Sequence, residues 1–426
     1  MNNKREELIE EGISLSESIT TSVIQNTLKK DYKDMEFIRL MREIITENID
    51  KNEFYRDMIE YVGFKVDDLN SIDDLQSIPY ISTTFYKQSA GMYKKLLKVP
   101  EDNLQHWNCS STTSGDPSLV GVNKNDMNFL YEMSRKCFLD YIPRDWDNAK
   151  VFLFSPSAKM LDRFCIRFTK ERPVRAYSGN YYKVNEEMTQ VKYLFTFSIL
   201  KALQAIIKTR SIVGGFYIKQ SYLIKTINKL LKKPEDKRYN IGIGGSNYLI
   251  SKFMEYLREK DISYNLGDGL DVVTGGGGWD GHKAQLKYDP INKSQYVSNI
   301  AELFGIESKR VIDIYGITEC PIVFGSHWSD KYEDFVFHCP QYSRIILRDV
   351  ESLEPLKNEG DRGFLEVLTP FGSSASVKHA VIVDDQVELV SRNKCTETGR
   401  EGATFRILGR VTESEGIGCH SLIKWI

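Results

Sequence analysis

The chain has 426 residues, 41% of them hydrophobic and 12% aromatic, so it can bury a sizeable core in one large or several ordinary domains. Its 57 basic and 59 acidic side chains leave a formal net charge of −2, which gives no electrostatic reason to expect nucleic acid or an anionic membrane as partner. The seven cysteines lack a close Cys-x-x-Cys pair, which indicates reduced thiols in the cytoplasm and favours neither a structural zinc site nor a disulfide framework. No apolar run predicts a membrane span or a secretion signal.

The first part of the chain predicts helices and then a phosphate-binding loop. Residues 1–75 carry apolar and charged positions at helical spacing, which predicts a helical N-terminal cap. Pro79 marks the entry into an extended segment at 80–87. The run 108–118, NCSSTTSGDPS, is rich in hydroxyl groups, and hydroxyls and free backbone amides in a turn can cradle phosphate oxygens. A solvent-exposed loop is the alternative interpretation.

The middle of the chain alternates apolar strand-like segments with helix-like segments. Strands are predicted at 149–154, 213–218 and 239–243, and helices at 125–141, 191–210, 221–231 and 247–260. This alternation predicts an α/β domain with parallel strands, whose ligands gather at the carboxyl ends of the strands.

A run of four glycines follows the next predicted strand, which begins at Leu270. Gly275 to Gly278 allow the backbone to approach a flat or bulky ligand where side chains would clash, and Trp279 and Lys283 stand beside that opening. A flexible linker is the alternative interpretation, but linkers rarely lie between an apolar strand and an aromatic residue.

The stretch 311–328 contains Tyr315-Gly316-Ile317-Thr318-Glu319 after an apolar run. A strand that stops at a glycine and delivers an aromatic ring, a hydroxyl and a carboxylate has the parts for handling ATP and a metal. Further along, 380–383 predicts a strand that ends at Asp384 and Asp385, where an acid can accept hydrogen bonds from ribose hydroxyls. A solvated turn is the alternative for these two acids.

The ordered set SSTTSGDPS, TGGGGW, YGITE, GDRGFLEV, VDD and LGR resembles the adenylate-forming superfamily. Within it, IPYISTTFYK, GGGGW and Cys419 in GRVTESEGIGC are similar to LuxE-type acyl-protein synthetases. The resemblance implies an α/β, ANL-like large N-terminal domain with mixed sheets and helices, lacking the full C-terminal lid domain. It implies a helical N-terminal cap at 1–75, an adenylation domain at 76–405 and a short C-terminal tail at 406–426 carrying Cys419.

The resemblance also implies a reaction. A carboxylic acid, expected to be a fatty acid, is activated by ATP with Mg²⁺ as acyl-AMP, transferred to the enzyme's own Cys419 and delivered to an acyl-CoA-reductase-like or other acyl-acceptor protein. The residues implied to bind ATP are Ser110, Ser111, Thr113, Ser114, Gly115, Gly276, Gly277, Tyr315, Gly316, Asp385 (or Asp384) and Arg410. The remaining roles are catalysis by Thr318, Glu319 and Cys419, Mg²⁺ binding by Glu319, and acyl binding by Gly275, Gly278 and Trp279.

Two departures from the superfamily pattern concern positive charge. Thr112 and Ser118 replace a glycine and a final lysine of the phosphate loop, and no lid domain with its catalytic lysine follows Arg410. Lys283 and Lys424 are candidates for the missing cation. A phenylacetate-CoA-ligase-like enzyme with coenzyme A as acceptor is the nearest alternative, and a non-catalytic acyl- or nucleotide-binding subunit is the second. A free cysteine packed under the apolar end of the chain is the alternative for Cys419.

Overall fold

The structure is a computed structural model that describes residues 32–110, 116–142, 146–198, 216–283 and 286–410, together with residues 24, 27, 28, 30 and 203. Several residues given roles above lie outside the described residues: Ser111, Thr112, Thr113, Ser114, Gly115, Cys419 and Lys424. Within the described residues, every helix is too short or too polar to cross a membrane.

The α-helices of the described part are α1 (Asp34–Lys51), α2 (Glu53–Val62), α3 (Lys124–Tyr141), α4 (Ala158–Phe168), α5 (Tyr177–Met188), α6 (Gln220–Leu231), α7 (Asn247–Glu259) and α8 (Lys293–Phe304). Local signals fix several of their ends. Asn52 caps α2 by accepting a hydrogen bond from the Tyr55 backbone N–H, and Gly63 ends the helix with φ +70°. The Asn123 side chain caps α3 in the same way and forms a capping box with Asp126.

The strands in chain order are β1 (Ile81–Ser82), β2 (His106–Cys109), β3 (Leu119–Val122), β4 (Ala149–Phe154), β5 (Val174–Ala176), β6 (Gln190–Tyr193), β7 (Phe195–Phe197), β8 (Phe216–Ile218), β9 (Asn240–Gly245), β10 (Leu270–Gly275), β11 (His282–Lys283), β12 (Leu286–Lys287), β13 (Val311–Gly316), β14 (Val323–Ser329), β15 (Asp334–His338), β16 (Arg344–Arg348), β17 (Pro355–Leu356), β18 (Arg362–Leu368), β19 (Ala380–Ser391) and β20 (Thr404–Arg410). Most of them join one large mixed sheet in the order β17-β16-β18-β19-β20-β15-β14-β13-β10-β9-β4-β6, with β1 paired to β19. A smaller sheet has the order β3-β2-β5.

The large sheet has a parallel half and an antiparallel half that meet at β13. In the parallel half, β6, β4, β9, β10 and β13 run in one direction, and their carboxyl ends lie along one edge. From β14 onward the main ladder is antiparallel. The predicted alternation of parallel strands and helices is therefore confirmed for β4 and β9, whereas the strand predicted at 213–218 is described as β8, which pairs antiparallel with β7 in a separate two-stranded sheet. The antiparallel half brings β19 and β20 toward the same ligand side.

Two predictions about local structure are wrong. The segment predicted as a helix at 191–210 begins instead as β6 and β7, because alternating β-branched and aromatic residues pair with β4 at the sheet edge and with β8. The strand predicted to end at Asp384 and Asp385 continues to Ser391, and its register with β20 shifts between Gln386 and Val387. Both aspartates therefore lie inside a long strand and not in a turn.

The N-terminal helices are attached to the sheet by a buried polar contact. The Asn48 side-chain amide of α1 donates a hydrogen bond to His379 Nδ1 over 2.7 Å, and His379 Nε2 lies 2.9 Å from Tyr55 Oη of α2. Because an amide nitrogen only donates, Nδ1 is the accepting nitrogen and Nε2–H donates to Tyr55. The His379 imidazole is fully buried and neutral in this arrangement.

Candidate active site

A cavity of about 1060 Å³ lies at the carboxyl ends of the parallel strands. The last residues of β4, β9, β10 and β13 all line it, and these are Phe154, Gly245, Gly275 and Gly316. Its volume lies just above the usual range for small-molecule sites, roughly 300–1,000 Å³. The cavity thus occupies the ligand position that a parallel α/β sheet predicts.

Three residues far apart in the chain meet at one wall of this cavity. Tyr315 Oη donates a hydrogen bond to Asp385 Oδ2 over 2.5 Å, and Arg410 Nε lies 3.3 Å from Asp385 Oδ1. Asp385 and Arg410 are direct partners in the β19–β20 register. Burial and the Asp385 carboxylate raise the pKa of Tyr315 well above its ordinary value, so the phenol stays protonated and remains a donor. The three residues assigned to the nucleotide by resemblance form one connected group.

The short strand β1 brings a further hydroxyl to the same wall. Ser82 pairs with Ile382 of β19, and the next residue, Thr83, donates a hydrogen bond to Asp384 Oδ1 over 2.9 Å. Thr83 and both aspartates line the cavity. Asp384 is therefore engaged by Thr83 while Asp385 is engaged by Tyr315 and Arg410.

Glu319 is a buried carboxylate in the cavity wall, and Thr318 beside it is half-buried and also lines the cavity. Burial raises the pKa of Glu319 above its ordinary value, Lys87 and Ser118 oppose the shift, and Asp384 adds to it. A buried carboxylate whose pKa is raised is short of positive charge, and carboxylate oxygens are ligands that Mg²⁺ prefers. Glu319 therefore fits the role of a magnesium ligand.

The hydroxyl-rich segment follows β2 and precedes β3, and the residues described at its two ends are held together by hydrogen bonds. The Ser110 backbone N–H donates to Ser118 O over 3.0 Å, and Ser118 N–H donates to Ser110 Oγ over 2.9 Å. Asp116 accepts hydrogen bonds from the backbone and hydroxyl of Ser89. Ser110 lines the cavity, so the loop begins at the site.

The glycine run forms another part of the cavity wall. Gly276, Gly277 and Gly278 have φ values of 78°, 65° and 89°, a left-handed conformation that other residues rarely adopt in succession. All three line the cavity with their backbone, and Tyr288 Oη donates to Gly278 O over 2.7 Å. Gly276 to Gly278 are therefore required for backbone conformation, whereas a Cβ atom at Gly275 would lie 3.1 Å from the Ile314 carbonyl oxygen.

Trp279 lines the cavity and also anchors the glycine run to the sheet. Its indole Nε1 donates to Asp313 Oδ2 over 3.0 Å, and Thr274 Oγ1 donates to the other carboxylate oxygen over 2.9 Å. The ring packs edge-on against Tyr296 at a centroid distance of 5.2 Å. Its position next to the cavity is compatible with acyl contact, which stays a prediction.

Gly316 allows two tyrosines to approach the end of β13. A Cβ atom built there would lie 2.6 Å from Tyr181 Oη and 3.6 Å from Tyr177 Oη. Tyr181 donates a hydrogen bond to Tyr177, and both rings line the cavity. A larger residue at 316 would push these phenols away.

One arm of the cavity is apolar and extends between α3, β4 and α5. Its lining residues are Phe138, Ile142, Trp146, Ala149, Val151, Leu153, Tyr182, Val273 and Ile314. Ala149, Val151 and Leu153 are alternate residues of β4, and all belong to the same buried apolar cluster, whereas Phe152 and Phe154 belong to the main core. The cavity therefore joins a polar end to an apolar end.

Two side chains of the polar end, Thr83 and Lys87, are not among the site residues predicted from the sequence. Both lie in IPYISTTFYK, which indicated only an extended segment and a family resemblance. Lys87 lies on the cavity close enough to influence the Glu319 carboxylate. The sequence signal that could have identified them is a hydroxyl and a lysine shortly after a short strand. Only the pairing of that strand, β1, with β19 shows that these side chains reach the site.

Known proteins resemble the chain in sequence. The sequence model of the family described as "Acyl-protein synthetase, LuxE" matches residues 214–424. The long-chain-fatty-acid--luciferin-component ligase of Aliivibrio fischeri is 22% identical over 384 residues, which cover 89% of this chain and 86% of the relative. The ligase of the same name from Vibrio harveyi is 24% identical over 382 residues, which cover 89% of this chain and 85% of the relative.

The fold is also similar to a solved structure. An open conformation of 2-hydroxyisobutyryl-CoA ligase, in complex with 2-HIB-AMP and CoA, matches with a TM-score of 0.60 and 15% identity, covering 89% of this chain and 70% of that chain. The likeness confirms the predicted mixed α/β fold of adenylate-forming ligases.

Proposed function

We propose, on the match of the LuxE family model to residues 214–424, that the chain uses ATP to activate a fatty acid as acyl-AMP and then transfers the acyl group to its own Cys419. The observation that carries the proposal is the single cavity whose polar end holds Tyr315, Asp385 and Glu319 and whose other end is apolar. Such a cavity suits a ligand with a charged nucleotide part and a hydrocarbon part.

In the first step, a carboxylate oxygen of the acid attacks the α-phosphorus of ATP, an oxygen–phosphorus bond forms, and pyrophosphate leaves with the electrons of the broken bond. Negative charge spreads over the phosphates in this step, so fixed donors and cations lower its barrier. We assign Asp385 and Arg410 to the ribose, Tyr315 to the adenine ring and Thr318 to the α-phosphate.

Lys87 is our candidate for the positive charge that the phosphate loop lacks. It lines the cavity near Glu319, and its backbone forms an antiparallel bridge with Ser118 at the end of that loop. The loop itself has Ser118 where the superfamily has lysine. Lys87, which is paired with Ser118, can approach the leaving pyrophosphate in its place. Glu319 would bind Mg²⁺, which supplies further charge neutralisation to the phosphates.

In the second step, a thiolate attacks the acyl carbonyl carbon, a carbon–sulfur bond forms, and AMP leaves as the carbon–oxygen bond breaks. The described cysteines, Cys109, Cys137, Cys165, Cys320, Cys339 and Cys395, are all buried. Burial raises the pKa of the Cys137, Cys320 and Cys339 thiols, which disfavours the nucleophilic thiolate. Cys419 is the remaining thiol, and the LuxE match extends over it. The acyl group would then pass to a reductase or another acceptor protein.

Two measurements test this function. Acid-dependent ATP–pyrophosphate exchange with fatty acids of graded length tests the first step, and its absence with every acid would exclude an adenylating enzyme. Incubation with labelled fatty acid and ATP tests the second step, where we expect hydroxylamine-sensitive label on the protein. The label should be lost in Cys419→Ser and kept in the control Cys165→Ser. Label that persists in Cys419→Ser would mean that another residue accepts the acyl group. Product that forms only as acyl-CoA when coenzyme A is added would favour the CoA-ligase alternative.

A further inference from the structure

We propose that His327, His338 and Cys395 form a structural metal site that binds Zn²⁺. One potential ligand atom from each of the three residues lies within 4.8 Å of the others. His338 and Cys395 are buried, and His327 is half-buried. Two imidazole nitrogens and a thiolate are a typical zinc ligand set, with water or another oxygen completing four-coordination.

The sheet brings the two histidines together. His327 lies on β14 opposite Val336 of β15, and His338 is two residues further along β15. Positions in that diagonal relation lie on the same face of a sheet, within reach of large side chains. His327 Nδ1 is 2.8 Å from His338 Nε2, so these two nitrogens face each other.

The third residue comes from the connection between β19 and β20. Lys394 and Glu401 form an antiparallel bridge, and the Cys395 backbone N–H donates to Arg400 O over 2.9 Å. This small hairpin places Cys395 against the two histidines. Zinc–nitrogen bonds of about 2.0 Å and zinc–sulfur bonds of about 2.3 Å separate tetrahedral ligand atoms by roughly 3.3–3.7 Å, so small side-chain rotations complete the site.

Glu397 gives the site an outer carboxylate. Its Oε2 lies 3.5 Å from His327 Nε2, on the ring nitrogen that does not face His338, and its Oε1 accepts a hydrogen bond from Ser329 Oγ over 2.8 Å. Histidines that bind metal through one nitrogen usually donate the other N–H to a carboxylate, which orients the ring. A carboxylate held by a serine on the far side of the imidazole is a second, independent feature of a metal site.

The position of the cluster indicates a structural role. The catalytic cavity is lined by neither histidine nor by Cys395 or Glu397 among the residues that the structure describes. A metal there would link the β14–β15 pair to the connection between β19 and β20. Tyr315 lies on β13, the neighbour of β14, while Asp385 and Arg410 lie on β19 and β20 themselves, so the metal would support the walls of the site without touching substrate. This proposal is independent of the acyl chemistry and departs from the zinc-free expectation drawn from cysteine spacing.

The test begins with full-length protein that is stripped of metal with a chelator and reconstituted. We expect about one equivalent of tightly held Zn²⁺ per chain by mass spectrometry of the metal, and a higher melting temperature with metal than without. Replacement by Co²⁺ should produce thiolate-to-cobalt charge-transfer absorption and intense visible bands of four-coordinate cobalt. Cys395→Ser should lose the charge-transfer band, while Cys339→Ser, which removes a buried thiol next to His338, should keep it.

Two outcomes would overturn the proposal. One is wild-type protein that retains no zinc after reconstitution and shows no thiolate–cobalt band. The other is a band that persists unchanged in Cys395→Ser, which would place the metal on a different thiol. If Cys395→Ser does not fold, the cobalt spectrum of His327→Asn is compared with that of the wild type instead. This variant keeps every thiol but lacks one nitrogen ligand, so its bands should differ from those of the wild type.

Discussion

Tyr315 and Asp385 lie 70 positions apart in the chain, and a hydrogen bond of 2.5 Å joins the tyrosine hydroxyl to the aspartate carboxylate. The bond crosses from the parallel half of the sheet to the antiparallel half. It places an aromatic ring and a carboxylate side by side at the polar end of the cavity, which is the arrangement proposed to bind the adenosine part of ATP.

Removal of this bond should weaken ATP binding. Tyr315→Phe keeps the ring but leaves Asp385 with Arg410 as its partner, and a hydrogen bond to a charged group contributes about 1.5–3 kcal/mol. We expect the KM for ATP in pyrophosphate exchange to rise by about tenfold or more, with a smaller change in kcat. Tyr222→Phe, at an exposed ring, is the matched control and should leave the KM for ATP unchanged. An unaltered KM in Tyr315→Phe would refute the adenosine assignment.

Lys87 should act on the rate of adenylation. Lys87→Met removes a cation from the polar end of the cavity while keeping the length of the side chain. If Lys87 neutralises charge on the phosphates, kcat for pyrophosphate exchange should fall by about 100-fold, as for loss of one preorganised transition-state contact. Lys95→Met, on the exposed surface nearby, is the control and should have full activity. Wild-type exchange in Lys87→Met would show that the missing positive charge comes from elsewhere.

The apolar arm should set the length of the accepted acid. Val151 lies at the centre of the β4 face that lines this arm, between Ala149 and Leu153. Val151→Phe should shorten the arm and lower kcat/KM for long-chain acids while sparing short ones, because the acyl-AMP chemistry at the polar end is unchanged. Val151→Ala is the opposite change and should favour longer acids. A uniform loss for all chain lengths in Val151→Phe would place the acyl chain outside this arm.

His379 should make the folded state sensitive to acid. Burial lowers its pKa to about 3, from 6.5, and the nearby Lys98 cation contributes to the shift. Between these two values the unfolded chain binds a proton that the folded chain does not, so the stabilising contribution is complete above pH 6.5 and is lost as the pH falls toward 3.

Urea denaturation at a series of pH values measures this effect. His379→Gln should reduce the slope of unfolding free energy against pH by about 1.4 kcal/mol per pH unit between roughly pH 6 and pH 4. Above pH 7 the variant should show the same slope as the wild type, since His379 is then neutral in both states. Identical slopes below pH 6 would mean that His379 is charged in the folded protein.

Elements whose signals are local could be predicted from the amino-acid sequence. Backbone freedom and hydrophobic periodicity depend on neighbouring residues. They are sufficient to predict the glycine turn at 276–278, the apolar strand before Tyr315 and the alternation around β4 and β9. The ordered motifs were sufficient to predict the adenylate-forming fold and a site at the strand ends. The local pattern from Val191 onward is compatible with a helix or a strand, and a helix was predicted. The segment forms the edge strand β6 instead, because only pairing with β4 favours the strand.

The tertiary structure alone decided which distant side chains share a site. Asp385 meets Tyr315 and Arg410, Thr83 and Lys87 reach the polar end of the cavity, and His338 meets Cys395, because strand order and register place them there. These contacts cannot be read from spacing along the chain. They depend on which strands become neighbours, and in which register, when the large sheet forms.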